Sequence, residues 1–337
     1  MSVPVLTTEY KELQERITRP IRAELDRVDE ILHVQLSSSV KTVAEVSTHL
    51  LEAGGKRLRP ALVLLCAKTS RGECDEDRLL EVAASTELLH MATLMHDDVI
   101  DSADSRRGRE TANHRWGSHV SVLSGDFLLA RAFMLLSRNA DARIIQTLAR
   151  TTSAMGEGEI RQMETRGNTE ALSSGYESII RGKTAEFISA CCRLGAIVAG
   201  CTPEIEDAVG CYGLNVGMAF QITDDLLDLT GNPALTGKPI GADVREGKLT
   251  LPVIHALAHA DPAETSRIEG LYKGGEVTTE EIEWLCAFVA RVGALDSSRL
   301  VAQTYIDLAL GSLADFPDSE SRASLHDLAR SIPNRTN

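Results

Sequence analysis

Apolar residues recur at three- and four-residue spacings through most of the chain, the period of an amphipathic helix. Residues 13–51 show it at Leu25, Val28, Ile31, Leu32 and Leu36. An almost unbroken apolar run over 61–68 predicts a buried helix, with Pro60 in its first turn, where a missing N–H costs least. Residues 77–98 read as one long helix. Its apolar positions, including Leu79, Leu80, Val82, Ala83, Leu88, Leu89, Ala92 and Leu94, spread too widely for a single stripe, so most of its surface should be buried. The same reading predicts helices over 120–137, 142–163, 174–200, 205–229, 251–260, 279–292 and 296–314. Gly231-Asn232-Pro233 and residues 236–241 interrupt the pattern. With no strand–helix alternation and no Gly-rich nucleotide fingerprint, the expectation is an all-α chain. It is taken as a single domain over 1–337, with 1–20 as a candidate flexible N-terminal arm.

Composition supports helix. Aromatics are only 4% of the chain, whereas strands enrich aromatic and β-branched residues. The formal net charge of -14 argues against nucleic acid as a partner, and any anionic ligand must meet locally concentrated Lys and Arg. The seven cysteines are odd in number and form no Cys-x-x-Cys pair, which suits a reduced, cytoplasmic protein better than a disulfide framework. Residues 1–19 lack the apolar core of a signal peptide, and no run of about 18 apolar residues predicts a transmembrane segment.

Two acidic clusters change the picture: Asp97-Asp98-Val99-Ile100-Asp101 and Asp224-Asp225-Leu226-Leu227-Asp228. On a helix, positions i and i+4 share a face and i+1 flanks it. A solvated acidic face is the ordinary explanation of one such cluster, but here both lie on apolar helices. Like charges about 4 Å apart repel by about 4 kcal/mol at an effective dielectric near 20. Six converging carboxylates therefore need cations, raised pKa values or separation. Magnesium, which takes one or two carboxylates together with water and phosphate oxygens, is the economical choice.

Cations stand near these clusters. Gly54-Gly55-Lys56-Arg57-Leu58-Arg59-Pro60 and Arg106-Arg107-Gly108-Arg109 can meet phosphate oxygens through side chains and backbone N–H groups. Gly182-Lys183-Thr184 sits inside an apolar helix, where an unpaired charge is costly. Segments 237–243 and 246–248 follow the second cluster, and His90 lies two helical turns before Asp97.

In this order, these motifs, with Gly125-Asp126 and Phe220-Gln221, resemble the trans-polyprenyl diphosphate synthase family, most closely its bacterial long-chain, octaprenyl-type members. The resemblance covers about residues 50–255. It implies one large helical bundle around a central cavity, and a homodimer. It implies that Asp97, Asp98, Asp101, Asp224, Asp225 and Asp228 hold magnesium, three ions when substrate is bound. Arg106, Lys183, Thr184, Gln221, Lys238 and Lys248 would bind the allylic diphosphate, and Lys56, Arg59, His90 and Arg107 isopentenyl diphosphate. Lys183, Thr184, Gln221, Asp97 and Asp224 would stand nearest the chemistry: ionisation of the allylic diphosphate, attack by the isopentenyl double bond, then loss of a proton.

By the same resemblance, bulky residues just before the first cluster stop chain growth. Here those positions are Ala92 and Thr93, both small, with Leu136 and Leu148 near the floor of the product tunnel. A long product follows, heptaprenyl to decaprenyl with octaprenyl as the best guess, and one able to partition into membranes. The rival readings are a short-chain geranylgeranyl or farnesyl diphosphate synthase, a class I terpene cyclase, and a non-catalytic subunit of a heteromeric synthase. A cyclase would lack the Lys56/Arg59 site, and a non-catalytic subunit usually loses an acidic motif. The role of the C-terminal end, with Arg335, is left open.

Overall fold

The computed structural model describes residues 8–70, 72, 75–106, 108–138, 141–231 and 239–334. Among these the only strands are a two-residue antiparallel pair, Ser105–Arg106 with Arg109–Glu110; the remaining elements are helices. The all-α expectation holds. The chain forms two compact units, each built from separate stretches. The first comprises Met1–Ala149, Ala190–Gly210 and Asp315–Asp327, and the second Arg150–Ser189, Cys211–Ala314 and Leu328–Asn337.

The first unit is organised around the helix Glu76–Ile100. Asp75 caps it, its carboxylate accepting the N–H groups of Asp77 and Arg78. Apolar residues on every side of this helix are buried, Leu80, Leu88, Leu89 and Met95 among them, because Ser118–Leu136, Leu58–Thr69 and Arg22–Gln35 all pack on it. The 13–51 pattern resolves into Thr8–Thr18, Arg22–Gln35 and Lys41–Glu52. Among the described residues Ser118–Leu136 is the one candidate membrane span, on a test that buried core helices also pass. At a mean hydropathy of 1.4 it is long and apolar enough to cross a membrane by length and composition. Part of that apolarity serves packing, since Leu128, Ala132, Leu135 and Leu136 are buried.

In the second unit, Leu251–Leu257, Thr279–Arg291 and Ala294–Ser312 enclose a core of Val253, Ala256, Leu285, Phe288 and Val289. A second cluster joins Tyr176, Ile180, Ala185, Met218, Ile222, Leu226 and Ala302. The helix predicted over 174–200 is interrupted. Thr169–Ile180 runs into a wide π turn at Arg181–Ala185, and Glu186–Val198 follows. The π turn coincides with Gly182-Lys183-Thr184, and such turns occur mostly as local irregularities at functional sites.

Candidate active site

Both acidic clusters occupy the C-terminal ends of long helices, Glu76–Ile100 and Pro203–Thr230. A helix C-terminus carries partial negative charge and favours cations. Neither helix has a basic residue in its last turn, so each end gathers carboxylates where the backbone least favours them.

In the first unit Asp97 is half-buried and Asp101 exposed, whereas Asp98 is 2% exposed. Position i+1 lies about 100° round the helix from i, which turns Asp98 toward the core. There it accepts a 2.8 Å hydrogen bond from Arg106 Nε. The backbone makes this possible by reversing at Ser102, with φ at 50°, and returning through the hairpin. Arg106, expected on diphosphate, is thus held by Asp98 in this structure. His96, just before the cluster, has Nε2 3.2 Å from Val122 O and 3.4 Å from Asp126 Oδ1. A Cβ on Gly125 would stand 2.4 Å from that nitrogen, so the Gly-Asp pair seats the histidine.

The Gly-Gly-Lys-Arg segment of the same unit divides its cations. Arg57 adopts a left-handed backbone, φ 47°, and its guanidinium donates to Asp29 at 2.8 Å and to the buried Glu87 at 3.1 Å. Lys56 remains exposed and Arg59 half-buried. Arg57 thereby ties the segment to the helix that carries Glu87 and the half-buried His90. Ala92, Leu136 and Leu148 are buried, and Thr93 is half-buried with its hydroxyl on His90 O at 2.8 Å.

In the second unit a cavity of about 130 Å³ is lined by Lys183, Lys248, Asp225, Asp243, Gln221 and Tyr176, among others. That is well below the roughly 300–1,000 Å³ of a complete small-molecule site, and it suits a charged end group better than a whole substrate. Lys183 Nζ donates to Glu159 at 2.5 Å and to Gln162 at 2.6 Å. The Thr184 hydroxyl donates to Gln221 Oε1 at 3.1 Å, and Gln221 Nε2 donates to Asp225 Oδ1 at 3.1 Å. Tyr176 Oη donates to Asp225 Oδ2 at 2.6 Å. Burial pushes the Asp225 carboxyl up to about 7; Asp243 beside it adds to the rise, and the bonds from Tyr176 and Gln221 oppose it. Asp228 accepts the N–H groups of Ala242 and Asp243 at 3.0 and 3.3 Å, and Lys248 pairs with Glu246 at 2.5 Å.

In each cluster the second carboxylate, Asp98 or Asp225, thus turns inward onto protein donors. Among the described residues no three His, Cys, Asp or Glu side chains form a ready metal cage. All-oxygen donors without a full cage fit magnesium, which completes its shell with water and phosphate oxygens. Arg107, Lys238 and Arg335 lie outside the described residues. Sequence reasoning gave no role to Tyr176, Glu159, Gln162 or Asp243. Asp243 was within reach, inside a quoted motif, while the other three resemble ordinary helix positions.

A family model described as polyprenyl synthetase matches residues 40–289. Component 2 of heptaprenyl diphosphate synthase from Geobacillus stearothermophilus is 39% identical over 312 residues, 93% of this chain and 96% of that protein. The crystal structure of a decaprenyl diphosphate synthase from Rhodobacter capsulatus has a TM-score of 0.90 at 38% identity, covering 96% of this chain and 99% of that one. A polyprenyl synthase from Caulobacter crescentus CB15, complexed with calcium and isoprenyl diphosphate, has a TM-score of 0.89 at 35% identity, covering 96% and 98%.

Proposed function

The chain belongs to the polyprenyl synthetase family and is a trans-prenyl diphosphate synthase, and from that premise we propose that it uses magnesium to add isopentenyl diphosphate units to an allylic diphosphate, giving a long-chain product. The observation that carries the reading is the second unit's cavity. Two lysines, two carboxylates and Gln221, which the Thr184 hydroxyl holds, converge there on a space sized for a charged end group.

In this proposal Asp97, Asp98 and Asp101 in one cluster, and Asp224, Asp225 and Asp228 in the other, would hold magnesium, with Asp98 and Asp225 oriented by protein donors. The carboxylate-only donor set and the calcium-bound Caulobacter crescentus relative support a hard divalent ion. Bound magnesium, expected as three ions, supplies charge neutralisation for the departing diphosphate. Arg106, Lys183, Lys248 and Lys238 bind the outer oxygens of the allylic diphosphate, and Lys56, Arg59, His90 and Arg107 bind isopentenyl diphosphate. Lys183 is pre-aimed by Glu159 and Gln162, and Thr184 and Gln221 place their dipoles beside the bond that ionises. The reaction requires water to be excluded, since water would otherwise capture the allylic cation. The isopentenyl double bond then attacks that cation. A proton leaves to the released diphosphate, and the lengthened allylic diphosphate re-enters the cycle.

Product length is the finer part of the proposal. Ala92 and Thr93 leave the position before the first cluster small, and the relatives include heptaprenyl and decaprenyl synthases, so the product lies in that range with octaprenyl as its centre. The same reading carries a homodimer in the cytoplasm, checked by light scattering and cell fractionation. The direct test of the metal requirement is chelation. Stripping divalent ions is expected to abolish release of inorganic diphosphate, and magnesium to restore it. Undiminished release in the chelator would overturn the proposal.

A further inference from the structure

A carboxylate buried beside other carboxylates must find donors or lose its charge. Asp225 is 3% exposed on a helix face it shares with Ile222, Leu226 and Leu229, all buried. Two donors reach it. One is Gln221, a single turn back on the same helix, whose amide is oriented by the Thr184 hydroxyl. The other is Tyr176, from the separate helix Thr169–Ile180, at 2.6 Å. The tyrosine ring is wedged among Ile180, Ala185, Met218, Ile222 and Leu226, so its hydroxyl has little freedom to point elsewhere. One continuous stretch, from Tyr176 through the π turn, thus grips Asp225 twice: directly by the tyrosine, and indirectly through Thr184 and Gln221. Each carboxylate oxygen keeps a lone pair for a further partner in the cavity that Asp225 lines with Lys183 and Lys248.

We propose that Tyr176 is a positioning residue of the second acidic cluster, locking the Asp225 carboxylate in the orientation that a metal-bound diphosphate requires. Its contribution is made through Asp225, not by contact with the reacting atoms. The inference rests on the reading that this cluster holds metal.

The test uses the full chain and a readout other than turnover. Manganese(II) binding in the presence of inorganic diphosphate is followed by electron paramagnetic resonance for the wild type, Tyr176→Phe, Asp225→Asn, the double variant and Asp224→Asn. Tyr176→Phe keeps the ring in its apolar seat. The double variant also removes the carboxylate charge left short of a donor, so at least one tyrosine variant remains folded. Tyr176→Phe is expected to weaken manganese binding about tenfold, the order of one hydrogen bond to a charged group. It is also expected to raise the KM for the allylic substrate while leaving the KM for isopentenyl diphosphate unchanged. Its effect on binding is expected to vanish in the Asp225→Asn background, because the two act as one unit. Unchanged binding in Tyr176→Phe, or additive losses in the double variant, would overturn the tyrosine's role while Asp224→Asn still lost the metal. Full binding in Asp224→Asn would instead overturn the metal reading, and the tyrosine's role with it.

Discussion

Asp98 and Asp225 hold the same place in their clusters and meet the same fate, each buried and bound to a donor from another part of its own unit. The consequence for Asp225 is a pH effect opposite in sign to that of an ordinary paired carboxylate. Its folded-state pKa is raised from 3.8 to about 7, so across that window the folded, metal-free protein holds a proton that the unfolded chain has released. Stability therefore falls as pH rises from 3.8 to about 7. Asp225→Asn is expected to flatten that part of the curve in chemical unfolding of metal-free protein, and an unaltered slope would count against the burial argument. Arg57→Ala should cost about 3 kcal/mol in the same assay, because it leaves the buried Glu87 without that partner. The i, i+1, i+4 spacing was readable as a carboxylate cluster, but not which member turns inward. That depends on how each helix is rotated against its neighbours. Tyr176 was equally hidden: on a helix pattern an aromatic in the core looks the same whether or not its hydroxyl has found a carboxylate.

At the scale of elements, the proposed site residues collect where regular helix gives way. The clusters end their helices, Arg57 begins one in a left-handed conformation, and Lys183 and Thr184 sit on the π turn. Gly217 brings the helix Pro203–Thr230 close against that turn, since a Cβ there would lie 2.5 Å from Ala185 Cα. Gly217→Ala is expected to cost about 1–3 kcal/mol of stability by overpacking. It should also lower kcat by shifting Thr184 from Gln221. Denaturant melts with steady-state kinetics check both, and loss of neither would mean the contact is slack. Hydrophobic periodicity located most of the long helices, but among the described residues it missed Pro262–Tyr272, Glu320–Ser331, the short Ala112–Trp116 and Ala242–Arg245, and the π turn. Pro262–Tyr272 was announced by Asp261 and Glu264, which form a reciprocal capping box, and was still missed because its apolar face is thin. The π turn was invisible for another reason: a single widened turn barely disturbs the spacing of apolar residues on either side.

For the molecule as a whole, the net charge of -14 sets a background that repels anionic substrates, so the proposal has affinity for diphosphates rest on a few placed cations and on bound metal. A lengthening product adds burial with each unit, about five carbons and up to roughly 4 kcal/mol. Detergent is accordingly expected to raise steady-state turnover by easing release, and a detergent-independent rate would contradict slow release. Family and fold class were legible because the motifs lie in one order along the chain, whereas product length, in the proposal, turns on the packing around Ala92. Ala92→Phe is expected to shorten the product, as read by chromatography, and an unchanged length would place the determinant elsewhere. The most direct measurement of the central claim is incubation of the purified protein with isopentenyl diphosphate, a short allylic diphosphate and magnesium, followed by sizing of the product. A long polyprenyl diphosphate, in the heptaprenyl to decaprenyl range, is the expected result; no elongation by the folded protein would contradict the account.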